Sequence, residues 1–418
     1  MGLASTILVA RLLGAEGKGV LAVVGAIPSL ALGIASFGLG PALAFMAGKN
    51  RYVARELVTA ALAWSLLLGV LVGGLVWLAR DVLLASILKG LTAADLALVL
   101  VSLPAYYLNA FLGALFSGHG RAVAVAALSA LGATLNLVAV VVASLTFPGD
   151  STAVVLTLSI AAWAGALCSL AVYRSGFVYS PRRLIRITRE AMPYAVKSYV
   201  GQASSMFFLR ADVFFLNYFA GAAAVGVYSV ATNLAEKLWL FSNPVSTAVY
   251  SKITGAERQD AARLTMLTSR ALLILNCLAG LALFTLAVFL VPVIYGVQFA
   301  GAVYYLGLLI PGVVVFAVSQ PYSQFFTGQL GRPDVTSILS TAMMVLSAVL
   351  YVVLIPVMGA AGAALGSTLS YSTSMAGYAW LMPRAAGVTV REMLVPTRAD
   401  MTLYRSIMTS AVNRLRRS

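Results

Sequence analysis

Five ionisable side chains of this 418-residue sequence lie inside two runs that are otherwise apolar. A charged group within such a run is costly in lipid unless it faces a cavity or a partner, so each one is a functional candidate by default. Three of them are cations that could bind an anion, and two are carboxylates that could carry a coupling Na⁺ or H⁺. They are Lys197, Arg210, Asp212, Glu236 and Lys237.

Amide side chains accompany these charges. An amide both donates and accepts hydrogen bonds, which suits the hydroxyl groups of a sugar, although amides also hold membrane helices together. The candidate substrate-binding residues are Lys197, Arg210, Lys237, Asn233, Asn243, Gln320 and Gln324, and the candidate ion-coupling residues are Asp212 and Glu236. Neither a cofactor nor a metal site is expected, because His119 is the single histidine and both cysteines lie in apolar runs.

The spacing of the charged residues predicts where they lie. Glu236 and Lys237 are about eleven residues from the outer end of their helix, which is roughly 17 Å at 1.5 Å per residue and near the middle of a bilayer. Asn233 and Asn243 lie along the same helix, and we expect these polar side chains to line a cavity. The alternative is a polar network that only holds helices together. Arg210 and Asp212 are two residues apart, about 200° round a helix, so each needs a partner on another helix or in water.

The composition is that of a membrane protein. Hydrophobic residues make up 61% of the chain and charged residues 10%, and the mean hydropathy is +0.96, whereas soluble domains have about 45–50% apolar and about 25% charged residues. Each span needs about 20 residues, so the chain has room for about twelve spans and almost nothing else. The runs are continuous and rich in Leu and Ala, which favours helices over a membrane barrel.

Eleven long apolar helices are predicted, preceded by a short one that ends near Leu13. A helix from Gly2 to Leu13 is about 18 Å long at 1.5 Å per residue, too short for a hydrocarbon core of about 30 Å, so we expect the native start to lie upstream of Met1. The long helices are predicted at residues 18–47, 56–79, 95–117, 121–146, 152–173, 192–220, 225–253, 266–292, 297–328, 334–356 and 359–383.

The net charge of +15 is predicted to set membrane topology rather than to bind nucleic acid. Twenty-one of the 28 Lys and Arg residues fall in one set of alternate loops and in the C-terminal tail. Short loops rich in these residues stay cytoplasmic, so we expect the tail and the loop 174–191 on the inner side of a bacterial plasma membrane. Residues 401–415 have the spacing of an amphipathic helix that could lie on an anionic leaflet, with a frayed tail as the alternative. The opposite loops hold Arg11, Lys18, Arg80 and Lys89.

The chain repeats itself weakly six helices apart. The segment Phe116-Ser117-Gly118-His119-Gly120-Arg121 recurs as FTGQLGR, residues 326–332, and Gly19-Val20-Leu21-Ala22 resembles Gly226-Val227-Tyr228-Ser229. Six crossings preserve direction, so the halves are parallel repeats, as in transporters whose two bundles rock about a central site. The expected organisation is an N-terminal lobe at 1–173, a cytoplasmic basic linker at 174–191, a C-terminal lobe at 192–383 and a basic amphipathic tail at 384–418.

Three motifs resemble those of one transporter family. Arg11-Leu12-Leu13-Gly14-Ala15-Glu16-Gly17-Lys18-Gly19 looks like the R-x-L-G-x-x-G-x-G opening of the polysaccharide-transporter flippases, a branch of the multidrug/oligosaccharidyl-lipid/polysaccharide (MOP) exporter superfamily. Arg210-Ala211-Asp212 followed by Tyr218-Phe219-Ala220-Gly221, and Leu354-Ile355-Pro356 followed by Gly359, resemble its later signatures. The resemblance implies twelve helices in two six-helix lobes with an inward-opening cavity. Lys18 departs from it, because the family usually has an aromatic residue there.

The resemblance also implies a flippase that moves a polyprenyl-diphosphate-linked oligosaccharide to the outer leaflet, for lipopolysaccharide or exopolysaccharide synthesis. Its expected partners are that lipid-linked glycan, the bilayer, a glycan polymerase and other assembly proteins. One excess cation within the spans agrees with an anionic substrate. The alternatives are a MATE-type multidrug/cation antiporter, which would need a negative cavity, and a lipid II flippase. An enzyme is disfavoured, because the loops are mostly short and contain no catalytic motif.

Overall fold

The computed structural model describes residues 3–49, 52–173 and 180–395. Helices account for nearly all of this part of the chain, and no strand occurs in it. The helices are α1 (Leu3–Ala35), α2 (Leu39–Gly48), α3 (Ala54–Leu78), α4 (Arg80–Ala85), α5 (Ala93–Gly118), α6 (Ala122–Thr146), α7 (Ser151–Tyr173), α8 (Pro181–Ala235), α9 (Trp239–Gly255), α10 (Arg258–Ile294), α11 (Gly301–Gln324), α12 (Pro333–Met358), α13 (Ala360–Ala386) and α14 (Val390–Leu394).

A glycine bends each of two long helices, α1 and α8. Helix α8 has 55 residues, about 80 Å at 1.5 Å per residue, against a hydrocarbon core of about 30 Å. It changes direction at Gly221 (φ 79°), and α1 does so at Gly14 (φ 66°). Only glycine adopts this conformation without strain. Each helix therefore rises to one face and returns, and we name that face the outer face, following the predicted topology.

The described chain contains nine helical stretches that are long and apolar enough to cross a membrane. Two of them are the bent pairs, formed by α1 and by α8 with the start of α9, and each of these holds two separate segments. Helix α13 adds another of 27 residues, in which several Ser, Thr and Tyr side chains lower the hydropathy. Counted this way, the described chain has twelve segments at membrane depth, the first being the short arm 3–13. The predicted all-α, multi-pass membrane fold is confirmed.

Glycines with positive φ recur through the chain at nearly constant spacing. Eight of them form four pairs, and the members of each pair are between 206 and 211 residues apart. The backbone therefore carries the same parallel repeat that the sequence motifs predict. The pairs are Gly14 with Gly221, Gly90 with Gly296, Gly120 with Gly331, and Gly149 with Gly359.

The two lobes meet where α1 crosses α8. A Cβ on Gly19 would lie 1.7 Å from the carbonyl oxygen of Ala222, and a Cβ on Gly226 would lie 1.8 Å from that of Ala15. The two contacts are equivalent under the repeat, because each alanine precedes its own glycine by four residues. Small residues at this spacing allow helix backbones to touch in a membrane. We name this contact the outer seal; it lies about 8 Å below the two bends at 1.5 Å per residue.

The predicted linker 174–191 is wrong as a loop where the structure describes it, because α8 begins at Pro181. The inner end of α8 packs into the core of the N-terminal lobe, where Ile187, Ala191 and Ala195 are almost completely buried. The rest of the helix packs against α1 and against α11, α12 and α13 of the C-terminal lobe. Close packing on both sides therefore connects the lobes through one continuous helix.

Three further expectations need correction, and a fourth lies outside the described residues. The predicted helix 18–47 is interrupted around Phe37 (φ 48°), where α1 ends and α2 follows. Lys18, which its charge assigned to an outer loop, lies inside α1 and is only 3% exposed. The helix predicted to start at 266 begins eight residues earlier, at Arg258. The amphipathic pattern of 401–415 belongs to the part of the chain that is not described.

A methyl group at the outer seal should destabilise the protein. In Gly19→Ala the new Cβ would meet backbone that cannot rotate away, so we expect a loss of about 1–3 kcal/mol, the usual effect of overpacking. Thermal unfolding of the purified protein in detergent measures this as a lower Tm. Gly25→Ala is the matched control, because it lies in the same helix and its Cβ would meet nothing within 4 Å. Equal Tm values for the two variants would contradict the packing described for the seal.

Candidate functional site

An ion pair lies near the middle of the membrane. Arg210 Nη1 donates to Glu236 Oε1 over 2.7 Å, and the two side chains remain 37% and 26% exposed. Arg210 precedes the bend at Gly221 by about 16 Å of helix, and Glu236 follows that bend by about 22 Å, at 1.5 Å per residue. Both depths fall within a hydrocarbon core of about 30 Å. Glu236 also begins a 3-10 turn that separates α8 from α9. The pair is therefore accessible at mid-depth, where an ionic ligand could compete for either partner.

An aromatic cluster follows this ion pair along the chain. Trp239 is one turn after Glu236, and its ring centroid lies 5.6 Å from that of Phe316. Phe316 in turn lies 5.4 Å from Tyr371 and 5.7 Å from Phe208, so four helices contribute a ring. Trp239 Nε1 is buried and has no hydrogen-bond partner among the described residues. Aromatic faces with an unpaired N–H offer a ligand both apolar contact and a donor.

Sequence reasoning missed the aromatic cluster. Two spacings in the sequence indicate that aromatic residues accompany the polar candidates. Phe316 is four residues before Gln320, and Trp239 is three residues after Glu236. Residues three or four apart share one face of a helix. Aromatic residues on the same faces as the polar candidates could therefore have been added to the site.

Asp212 lies in a separate, buried network of oxygen atoms. Its carboxylate, in a residue that is 5% exposed, accepts hydrogen bonds from Tyr228 Oη (2.8 Å) and from the backbone N–H of Val213 (2.9 Å). Ser367 Oγ lies 3.4 Å from Tyr228 Oη and 2.9 Å from Tyr351 Oη. Within the described chain, no basic side chain lies at ion-pair distance from Asp212. A buried carboxylate surrounded by hydroxyl oxygens is chemically suited to hold a proton or a small hard cation.

Lys237 lies on the other side of the helix turn from the ion pair. It lines a narrow crevice with Asn233, Leu234, Thr6 and Tyr295, where the first arm of α1 approaches the C-terminal lobe. Asn233 Nδ2 donates to the carbonyl oxygen of Ser229 in its own helix (2.5 Å). The hydroxyl group of Tyr295 is buried without a hydrogen-bond partner in the described chain. The crevice thus combines one cation with an unsatisfied hydroxyl at the junction of the two lobes.

The other candidates are dispersed. Lys197 on the inner half of α8 and Asn243 on α9 are exposed, and Gln320 and Gln324 on α11 are half-buried. The Oε1 atom of Gln324 is buried without a hydrogen-bond partner among the described residues. A π-helical turn, Phe325–Gln329, follows Gln324 directly, and such turns often occur at functional sites.

The structure does not collect the nine candidates around one cavity. A cavity of 670 Å³ lies at the seam between the lobes, and none of the candidates lines it. The excess of one cation is also distributed differently from the expectation. Glu236 neutralises Arg210, whereas hydroxyl groups hold Asp212. Among the other cations within these helices, Lys237, the exposed Lys197 and the unexpectedly buried Lys18 have no ion-pair partner in the described chain.

Hydrogen bonds close the outer face across both sides of the seam. Arg11 donates to the carbonyl oxygens of Ile294 (2.7 Å) and Val293, at the outer end of α10. On the opposite side, Asn217 Nδ2 donates to the carbonyl oxygens of Ile87 (2.9 Å) and Lys89 (3.0 Å), after α4. Ile87 and Ile294 are 207 residues apart, so the two sets are related by the repeat. We name these two sets of hydrogen bonds the outer latches.

Comparisons with known proteins agree with this architecture. The family model described as "Polysaccharide biosynthesis protein" matches residues 1–253. A search of curated proteins finds no match. Among solved structures, the chain is similar to an inward-facing multidrug resistance MATE transporter of the MOP superfamily, with 19% identity, a TM-score of 0.68 and coverage of 92% of this chain and 94% of that chain.

Two other solved structures bear on the conformation and on the fold. Lipid II flippase MurJ in an inward closed conformation is 12% identical, with a TM-score of 0.69 and coverage of 90% of this chain and 84% of that chain. An outward-facing MATE transporter of the MOP superfamily is 19% identical, with a TM-score of 0.60 and coverage of 92% and 91%. At these identities the similarity establishes the fold, which is that of the MOP transporters.

Removing an outer latch should make the outer seam open more often. We expect Arg11→Ala or Asn217→Ala to increase several-fold the rate at which a membrane-impermeant maleimide alkylates Val20→Cys, because Val20 is only 4% exposed at the seam. Hydrogen bonds from a charged donor contribute about 1.5–3 kcal/mol, so Arg11→Ala should have the larger effect. The background protein carries serine in place of both native cysteines.

Arg80→Ala is the control for the latch variants. Arg80 is a cation on the outer face that pairs with the neighbouring Asp81 rather than across the seam. Its replacement should leave the alkylation rate of Val20→Cys unchanged. Rates that rise equally in Arg11→Ala and Arg80→Ala would mean that general outer charge, and not the latch, controls access.

Proposed function

Because this chain belongs to the polysaccharide biosynthesis protein family, whose fold neighbours are transporters and flippases, we propose that it moves a polyprenyl-diphosphate-linked oligosaccharide from the cytoplasmic to the outer leaflet of the bacterial plasma membrane. The multi-pass helical fold and the MOP architecture are consistent with flipping or export by alternating access.

The observation that carries this proposal is the accessible ion pair of Arg210 and Glu236 at mid-depth of the membrane. An exposed charged pair in that position is costly unless it serves a passing ligand, and intramembrane ionisable residues mark substrate or ion pathways. An arginine can bind a phosphate through two parallel hydrogen bonds. A diphosphate that displaced Glu236 from Arg210 would therefore gain charge-assisted hydrogen bonds at mid-depth of the membrane, where an unpaired charge is most costly.

Aromatic and amide groups of the C-terminal lobe suit the remainder of the substrate. The aromatic faces of Trp239 and Phe316 can contact sugar rings, while the amide of Gln320 can exchange hydrogen bonds with their hydroxyl groups. Lys237 supplies a further cation at the lobe junction. The polyprenyl chain does not need to leave the bilayer. A glycan polymerase and other assembly proteins would then use the glycan delivered to the outer leaflet.

The closed outer face supports an inward-facing resting state. The outer seal and both outer latches hold the lobes together on that face. The TM-score is higher for the inward-facing MATE structure, 0.68, than for the outward-facing one, 0.60. In this state the proposed substrate would enter from the cytoplasmic leaflet, and transport requires the seal to open.

The membrane potential favours export of an anion. Moving one elementary charge across 100 mV changes the free energy by about 2.3 kcal/mol, so two negative charges leaving a negative interior would gain about 4–5 kcal/mol. A coupling ion would add to this driving force. Asp212 is the proposed carrier of Na⁺ or H⁺, because its carboxylate is buried among hydroxyl groups and separate from the accessible ion pair.

Removing the cations should abolish glycan export without removing the protein from the membrane. We expect Arg210→Ala and Lys237→Ala each to lower surface glycan strongly, since each removes a proposed contact to the diphosphate. Immunological detection of surface glycan, normalised to the amount of folded protein in the membrane, measures this. Arg332→Ala is the control, because Arg332 is an exposed cation at an inner helix junction paired with Asp334. Normal surface glycan in both test variants would overturn the proposed diphosphate contact.

Neutralising Asp212 should uncouple transport from an ion gradient. In Asp212→Asn we expect slower flux of lipid-linked glycan that no longer responds to an imposed Na⁺ or H⁺ gradient, because an amide cannot exchange a proton or neutralise a cation. The measurement is flux in proteoliposomes with and without each gradient. Asp334→Asn, an exposed carboxylate near the inner face, should retain the native response. A native gradient response in Asp212→Asn would assign coupling to another group.

A further inference from the structure

The cavity at the seam between the lobes is a groove with apolar walls. Its volume is 670 Å³, and of the side chains that line it only Tyr218 carries a polar atom. The N-terminal lobe contributes residues of α1, α3, α4 and α5, and the C-terminal lobe contributes residues of α8 and α12. Among the lining residues are Ile27, Val76, Leu103, Phe207, Phe215 and Val352. We name this cavity the seam groove.

The seam groove is open towards the bilayer. Several rim side chains are well exposed in a region at membrane depth, including Val352 (51%), Ile34 (45%) and Phe219 (39%). Along α8 the walls run from Phe207 to Phe219, about 18 Å at 1.5 Å per residue and more than half of a core of about 30 Å. An apolar groove that opens sideways into lipid holds a hydrocarbon chain rather than water, since water there would find no polar partners.

Cations lie at the outer end of the seam groove. Lys89 Nζ lies 5.0 Å from the ring centroid of Tyr218 and donates to its carbonyl oxygen over 2.7 Å, which leaves two of its N–H groups for another acceptor. Arg80 is one turn after the wall residue Val76, and its guanidinium group stacks 4.7 Å from the centroid of Trp77. Asp81 is the acidic neighbour at this end and pairs with Arg80.

These charges run against the general distribution of the chain. The loop charges predict that most Lys and Arg residues are at the inner face, as a topology signal, and in the described ranges four lie towards the outer face. Two of those four, Lys89 and Arg80, are at the end of this one groove. An apolar groove with basic side chains at its outer end is complementary to a lipid with a hydrocarbon tail and an anionic head in the outer leaflet.

We propose that the seam groove binds the polyprenyl tail of the flipped lipid, while Lys89 and Arg80 hold its diphosphate at the outer face before release. The proposal rests on the proposed function and adds a separate site for the lipid after it has crossed. Both lobes build the walls, so separation of the lobes at the outer seal widens the groove and weakens its hold on the tail. The carbonyl oxygen of Lys89 accepts a hydrogen bond in an outer latch, whereas its ammonium group lies outside that latch and is available to a diphosphate.

Site-specific photocrosslinking tests the seam groove. The full-length protein in nanodiscs carries a benzophenone side chain in place of Val352, a groove residue, or of Val353 as the control. Val353 is similarly exposed (57%) on the same helix but does not line the groove. The probe is polyprenyl diphosphate labelled with ³²P. We expect several-fold more label at position 352 than at 353, and competition by unlabelled polyprenyl diphosphate but not by phosphatidylglycerol.

Charge variants test the outer end of the groove. Lys89→Gln and Arg80→Gln should each reduce labelling at position 352 several-fold, and Lys89→Arg should restore it because the positive charge is kept. Arg80 is outside the outer latches, so its variant separates headgroup binding from opening of the seam. Labelling that is unchanged in both Gln variants would overturn the role of the cations.

The remaining outcomes distinguish this site from the proposed function. Equal labelling at positions 352 and 353, or equal competition by phosphatidylglycerol, would overturn the seam groove as a polyprenyl site. Saturable binding of the same probe to the wild-type protein is measured in parallel. If that binding is present but position 352 is not labelled, the groove proposal fails and the proposed function stands. If no saturable binding occurs anywhere, both fail.

Discussion

The closeness of α1 and α8 at the outer seal is the constraint on which the other features depend. Two glycines, Gly19 and Gly226, allow the backbone of each helix to lie against the carbonyl groups of the other. In lipid there is no hydrophobic driving force between helices, so packing of this kind and hydrogen bonds must hold the lobes together. Because the contact consists of backbone and small side chains, its fit is strict, and the lobes either touch here or are apart.

The remaining features are arranged around this contact. Above it, Arg11 and Asn217 add hydrogen bonds to exposed carbonyl groups at the ends of the opposite lobe's helices. Below it, the ion pair of Arg210 and Glu236 lies at the depth where a substrate entering from the inner face would arrive. The inner end of α8 is buried in the N-terminal lobe, while its outer part packs both on α1 and on the C-terminal lobe. Movement of α8 at one end therefore affects both the seal and the polar site.

The fold was largely predictable from the sequence, and the site only in part. Apolar runs and loop charges predict the helices and their number, since both follow from the cost of polar groups in lipid. Helix geometry predicts that Arg210 needs a partner on another segment. That this partner is Glu236 depends on a 3-10 turn, which no sequence signal predicts. The charge of Lys18 predicts a loop, but its position inside an apolar helical run determines where it lies, which is in α1. The seam groove has no sequence signature, since its apolar residues look like any lipid-facing surface.

Distances between spin labels on the two faces test whether the lobes separate at the outer seal during transport while they approach each other at the inner face. One pair of labels replaces Asp81 and Val297, which are exposed on the outer face in different lobes; a second pair replaces Arg121 and Arg332 at the inner face. We expect lipid-linked glycan to add a population with a longer outer distance and a population with a shorter inner distance, each in the same fraction of molecules. Distances that both lengthen together, or an outer distance that stays fixed while glycan is transported, would contradict it.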